Sequence, residues 1–147
     1  KNGNSTAFKF PMPKVENCPY DFSFSGLKTS VINTIHNAEQ KGTEINKADL
    51  GASFMKAVSN CLCKNTEKAM VDLGYKTLVL AGGVSANSVL RNDITELSER
   101  HGWKLYLPEL SLCGDNAAMV GSQGYYEYLS GNIASLELNA FAGMSIE

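Results

Sequence analysis

Strands alternating with helices predict an α/β fold for this chain of 147 residues, organised around a parallel βαβ unit. Three observations carry that prediction. The run KTLVLAGG (76–83) is uninterrupted and apolar, as in a strand covered on both faces. WKLYLP (103–108) is a second strand, closed by Pro108. Between them, SANSVLRNDITELSERHG (85–102) has helical spacing, with Leu90, Ile94 and Leu97 turned inward and Gly102 as its stop. Parallel neighbours joined through a helix imply a right-handed crossover. Two strands make a poor sheet, so either the chain supplies half of something larger or its first segment adds an edge strand.

The remaining elements follow in order. Residues 1–21 hold Pro11, Pro13 and Pro19, three of the four prolines, and read as an extended, irregular segment. Phe22 and Phe24 alternate with serines like a short strand. Beyond Gly26, the spacing of Leu27, Val31, Ile32 and Ile35 predicts a helix ending at Gly42. The longest helix is expected from about Lys47 to Leu73, with Leu50, Phe54, Val58, Cys61, Leu62, Ala69, Met70 and Leu73 along one face. Asn46 with Asp49 three residues on resembles a capping box, with Asp in place of Glu, and Gly74 is a natural stop. GDNAAMVGSQGYYEYLSG (114–131) predicts a last helix, small residues early and aromatics late, and the tail from Asn132 has little pattern.

Composition narrows the class. Net charge is −2 from 13 basic and 15 acidic residues, with no basic block, so charge does not announce a nucleic-acid partner. No apolar run approaches the roughly 20 residues of a membrane span, and nothing resembles a signal peptide. The chain starts at Lys1 without an initiator Met, which reads as a fragment or a processed piece. Cys61 and Cys63 lie two apart in the long helix, about 200° around it, so they cannot share a metal. With no CxxC pair, Cys18, Cys61, Cys63 and Cys113 are all expected to be reduced, as in a cytosolic protein.

Two places draw attention as chemistry. Gly82 and Gly83 leave the first strand and precede a helix start, where free N–H groups of an open α/β sheet meet ligands. Bare backbone there admits a flat ring or a sugar. A tight turn with glycine only for its geometry explains the pair equally well, and the surroundings match neither a dinucleotide fingerprint nor a phosphate loop. Ser85 or Asn87 would cap the helix, or reach a ligand instead. After the second strand, Asp115 and Asn116 open the last helix. Asp115 is either an N-cap or a carboxylate ligand for a hard or borderline metal in the same crevice. A catalytic metal typically needs three protein ligands, and neither His36 nor His101 falls in a metal spacing.

AGGVSANSVLR (81–91) followed by CGDNAAMVG (113–121) resembles the threonylcarbamoyltransferase family TsaD, older names Gcp and O-sialoglycoprotein endopeptidase. FKFPMP (8–13) and DFSFSGLKTSV (21–31) resemble further segments of that family in the same order, so the likeness runs from about Phe8 through Gly124. It implies the C-terminal lobe portion of an actin/sugar-kinase/Hsp70-like (ASKHA, ribonuclease H-like) fold, with residues 1–21 as an irregular segment and 22–147 as the partial lobe. By motif match, Gly82 and Gly83 would lie against the adenosine of a nucleotide, and Asn87 would hydrogen-bond substrate. Asp115 would be one ligand of an active-site divalent metal ion, iron or zinc.

The family's activity implies transfer of threonylcarbamoyl from threonylcarbamoyl-AMP to the N6 of the adenosine beside the tRNA anticodon. It implies tRNA, TsaB and TsaE as partners, a cytoplasmic location and no membrane. The family's paired metal-binding histidines and its acidic and Gly-Gly-Pro substrate segments have no counterpart here, so this piece alone is expected to be inactive. Gly114 stands where Thr or Ser is common, a small change that leaves Asp115 in place. Three alternatives stay open: a sugar kinase or chaperone-type ATPase of the same fold, a metallo-endopeptidase, and an interaction module. The endopeptidase is weakened by the lack of an H-E-x-x-H segment. The module would use Tyr125, Tyr126 and Tyr128, although aromatics at a helix end are more often core.

Overall fold

The computed structural model describes residues 3–12, 15–140 and 142–143. Pro13, expected in the irregular segment, and residues 144–147 of the tail lie outside them. Two compact units divide the chain, Lys1–Cys113 and Gly114–Glu147, and each is described by itself.

In the first unit, α1 (Ser25–Lys41) ends where Gly42 turns left-handed, and Leu27 is its buried residue. α2 (Lys47–Asp72) starts at Asn46, whose side chain accepts from the Ala48 and Asp49 amides. Only that half of the expected capping box forms. The Asp49 carboxylate accepts instead from the Asn4 amide at 2.6 Å. Two serines buried on α2 were not foreseen. One of them, Ser53, donates to the Asn4 carbonyl and accepts from the Phe8 amide, both at 3.1 Å. Gly3 lies so close to the first turn of α2 that a Cβ would fall 2.0 Å from the Ala48 carbonyl oxygen. The leading segment is therefore irregular but laced to α2, with the Asn4 amide and carbonyl and the Phe8 amide bonded to side chains of that helix.

β1 (Thr77–Val79) and β2 (Lys104–Tyr106) pair in parallel, Leu78 opposite Leu105. α3 (Ser88–His101) joins them and stops at Gly102, completing the expected βαβ unit. The core forms where Met70 of α2, Ile94 and Leu97 of α3, and Trp103 meet, with Leu78, Leu80, Leu105 and Leu107 of the strand segments packed against it. Both helices thus cover one face of the sheet. The crossing of α2 and α3 also carries a polar clamp: Lys56 Nζ meets both Asp93 oxygens at 2.8 and 2.9 Å, and Ser59 Oγ donates to Asp93 Oδ2 at 2.6 Å.

Four expectations need correction. Leu73, expected on the apolar face of α2, is 55% exposed, because the helix ends at Asp72 and Leu73 is its C-cap. β1 is not covered on both faces, since Val79 is 65% exposed and its partner Tyr106 is exposed too. Alternate residues of a strand point to opposite faces, and only the Leu78–Leu80 side finds helices. Phe22 and Phe24 form no strand. They have no ladder partner, and their rings stack on each other at 6.4 Å. In the second unit, α4 (Ala117–Leu129) has no buried residue, and Tyr125, Tyr126 and Tyr128 are all exposed rather than core.

Candidate functional site

Gly82 and Gly83 leave β1 at its carboxyl end, two residues after Leu80 completes the ladder with Tyr106. Gly82 has φ +87°, a conformation that side-chain-bearing residues rarely adopt, so this position needs glycine whatever the ligand. Gly83 differs. Its φ is not positive, and a Cβ built there meets nothing within 4 Å. Geometry accounts for the first glycine alone, and the second leaves an open patch of main chain.

A short 3-10 turn (Gly83–Ala86) follows, closed by the Ser85 amide donating to the Gly82 carbonyl at 2.9 Å. Of the two candidate caps, Asn87 does the work. Its Oδ1 accepts from Val89 N at 3.0 Å and Leu90 N at 3.2 Å. Among the described residues the Asn87 Nδ2 has only the Met55 sulfur at 4.0 Å, a weak acceptor, and so keeps donor capacity. Ser85 is buried with its hydroxyl unpartnered among the described residues, so it cannot reach a ligand from this position.

Arg91 was not singled out from the sequence. Its Nη1 donates to the Ser85 carbonyl at 3.0 Å and approaches Cys113 Sγ at 3.6 Å, while Nη2 donates to the Pro108 carbonyl at 2.8 Å. The segments leaving β1 and β2 are thereby bridged by one guanidinium. The signal was present, an Arg one turn beyond the Asn cap, but its partners lie up to 22 positions away in the chain.

In the second unit, Asn116 caps α4 by accepting from Met119 N at 2.9 Å, and its Nδ2 donates to the Gly114 carbonyl. The N-cap is therefore not Asp115. The Asp115 carboxylate is exposed and has no hydrogen-bond partner among the described residues, at the positive end of a helix dipole. Among those residues no three His, Cys, Asp or Glu side chains come together to hold a metal. A single free carboxylate suits one oxygen position of an iron or zinc site and no more. A cavity of about 320 Å³ lies between the leading segment and α2, lined by Met12, Cys18, Cys61 and Lys64, but shares no residue with the strand-end segments.

The family model for tRNA N6-adenosine threonylcarbamoyltransferase matches residues 1–122. The chain belongs to the TsaD family. Relatives with that name are 43% identical in Clostridium botulinum strain Kyoto, 45% in Clostridioides difficile strain 630 and 44% in Moorella thermoacetica, each over 146 residues. Those alignments take in 99% of this chain but only 43% of each relative. The TsaD match takes in the diglycine turn, Asn87, Arg91 and Asp115. No described helix is long and apolar enough to cross a membrane.

Proposed function

We propose that this chain is the C-terminal lobe portion of an ASKHA-type tRNA N6-adenosine threonylcarbamoyltransferase. The observation that carries the reading is the open main chain at Gly83, beside a helix start whose cap keeps a free amide donor. A nucleotide's flat base and ribose need such a bare surface, since every Cβ would hold them off. The adenosine of threonylcarbamoyl-AMP lies against Gly82 and Gly83. Asn87 holds the α3 N-terminus with Oδ1 and donates through Nδ2 to a substrate oxygen. Asp115 supplies one oxygen ligand to a divalent iron or zinc, and the other ligands come from outside the described residues.

In the reaction, the N6 amine of the tRNA adenosine attacks the carbamoyl carbon, a C–N bond forms, and AMP departs with the electrons of the broken C–O bond. The amine proton passes to solvent. A divalent metal held by Asp115 and by ligands outside the described residues would supply polarisation of the carbamoyl carbonyl. The chain's own contribution is orientation of the adenylate, which turns a two-body encounter into a positioned one. tRNA and TsaB- and TsaE-like proteins are the partners on this reading, in the cytoplasm.

Gly83→Val in the full-length protein is the test. The structure leaves room for the valine, so the melting temperature should hold while affinity for AMP falls at least about tenfold by steric exclusion. Unchanged AMP affinity would reject the nucleotide wall. Threonylcarbamoyl transfer to tRNA, measured beside ATP hydrolysis with the same protein, separates the transferase from a kinase-like ATPase: transfer without net hydrolysis is expected.

A further inference from the structure

We propose that Arg91 is the positioning residue of the diglycine turn, a strut that sets where the nucleotide-facing main chain stands. The proposal rests on the reading of that turn as the nucleotide wall. Within the turn the hydrogen bonds are backbone bonds between near neighbours. Gly82 and Gly83 have no side chains, Ser85 makes no side-chain hydrogen bond among the described residues, and the backbone bonds Ser85 N to Gly82 O at 2.9 Å and Asn87 N to Val84 O at 3.0 Å are local to the turn. What holds it from outside is Arg91. One guanidinium edge takes the Ser85 carbonyl at 3.0 Å and the Cys113 sulfur at 3.6 Å, and the other takes the Pro108 carbonyl at 2.8 Å.

The far end of the strut is itself fixed. Cys113 is buried, and its thiol donates to the Glu109 carbonyl at 3.4 Å. Pro108 has a locked φ. Arg91 sits one turn into α3, on the same helix whose Leu90, Ile94 and Leu97 are buried. The side chain thus runs from a rigid element to an anchored segment on one side and, on the other, to a turn that no other side-chain hydrogen bond reaches among the described residues. Charge-assisted bonds in fork geometry fix both distance and direction. A lysine offers a single ammonium and cannot reproduce that fork.

The test uses the full-length protein in four versions: wild type, Arg91→Met, Arg91→Lys and Lys56→Met. Lys56 clamps α2 to α3 through Asp93 and touches neither strand-end segment, so its loss is a control for general destabilisation. Amide hydrogen exchange is read over residues 82–87 and 108–113, and AMP affinity by titration calorimetry. Arg91→Met should speed exchange in both segments and weaken AMP about tenfold, the loss expected when charged hydrogen bonds that orient a binding surface disappear. Arg91→Lys should fall between, and serves alone if Arg91→Met does not fold. Lys56→Met should lower the melting temperature yet bind AMP within about twofold of wild type.

Unchanged exchange in both segments overturns the strut. So does an AMP loss in Lys56→Met equal to that in Arg91→Met, since the effect would then be general destabilisation. If exchange accelerates in Arg91→Met while both it and Gly83→Val bind AMP normally, the strut stands and the nucleotide wall is what fails.

Discussion

Asp115 and Asn116 are neighbours with separate tasks. Asn116 caps α4, so Asn116→Ala should cost about 1 kcal/mol of stability, as lost N-caps do. Asp115→Ala removes no hydrogen bond seen here and should leave the melting temperature of the full-length protein unchanged. Metal content after dialysis, by elemental analysis, should fall at the same time. Full metal retention in Asp115→Ala would end its proposed role as a ligand. The cysteines separate as cleanly. Burial pushes the Cys61 and Cys63 thiols above their ordinary value, while Cys18 is exposed. A folded state that holds those two protons longer than the unfolded chain loses stability as pH rises above the ordinary thiol range. Alkylation at pH 8 followed by peptide mass mapping should therefore label Cys18 first, with Cys61 and Cys63 modified only on unfolding or at higher pH.

At the scale of elements, α3 matters most, because it presents a core stripe on one side and Arg91 beyond its cap. Leu97 is buried to 2% against Met70, Ile94 and Trp103. Leu97→Ala should cost about 2–5 kcal/mol and lower the thermal midpoint clearly. Val79→Thr, on the bare face of β1, should shift stability by no more than about 0.5 kcal/mol in the isolated chain. A large loss for Val79→Thr would mean that the outer face is packed after all. α3, α1 and α2 were all legible from spacing and stops, since leucines at three- and four-residue steps and a glycine after the last turn are local signals. The buried Ser53 and Ser59 were not legible. Their burial goes with hydroxyl partners far away in the chain, Asn4 for Ser53 and Asp93 for Ser59.

Large apolar side chains stand exposed in each of the two units. Val79 and Tyr106 stand bare on the sheet, and α4 exposes Val120, Tyr126 and Leu129. Such patches on a soluble chain mark surfaces that something else covers, and the chain spans only 43% of the length of the relatives it matches. The 147-residue piece on its own should therefore brighten an apolar-surface dye and associate as its concentration rises, seen by light scattering. The full-length protein should do neither. Equal dye binding by both would show that these faces are free in the complete protein.

By itself the sequence determined the element order, the helix stops, the parallel βαβ unit and, through co-ordered motifs, the family. These rest on local spacing and turn chemistry, which need no knowledge of distant neighbours. Only the tertiary structure decided that Asn87 rather than Ser85 caps α3, that Asn116 rather than Asp115 caps α4, and that Arg91 bridges two segments. It also decided that one sheet face and the tyrosines of α4 stand open. Each of those depends on which groups meet across many positions of chain, and a hydrogen bond or a covered face exists only once the partner has arrived.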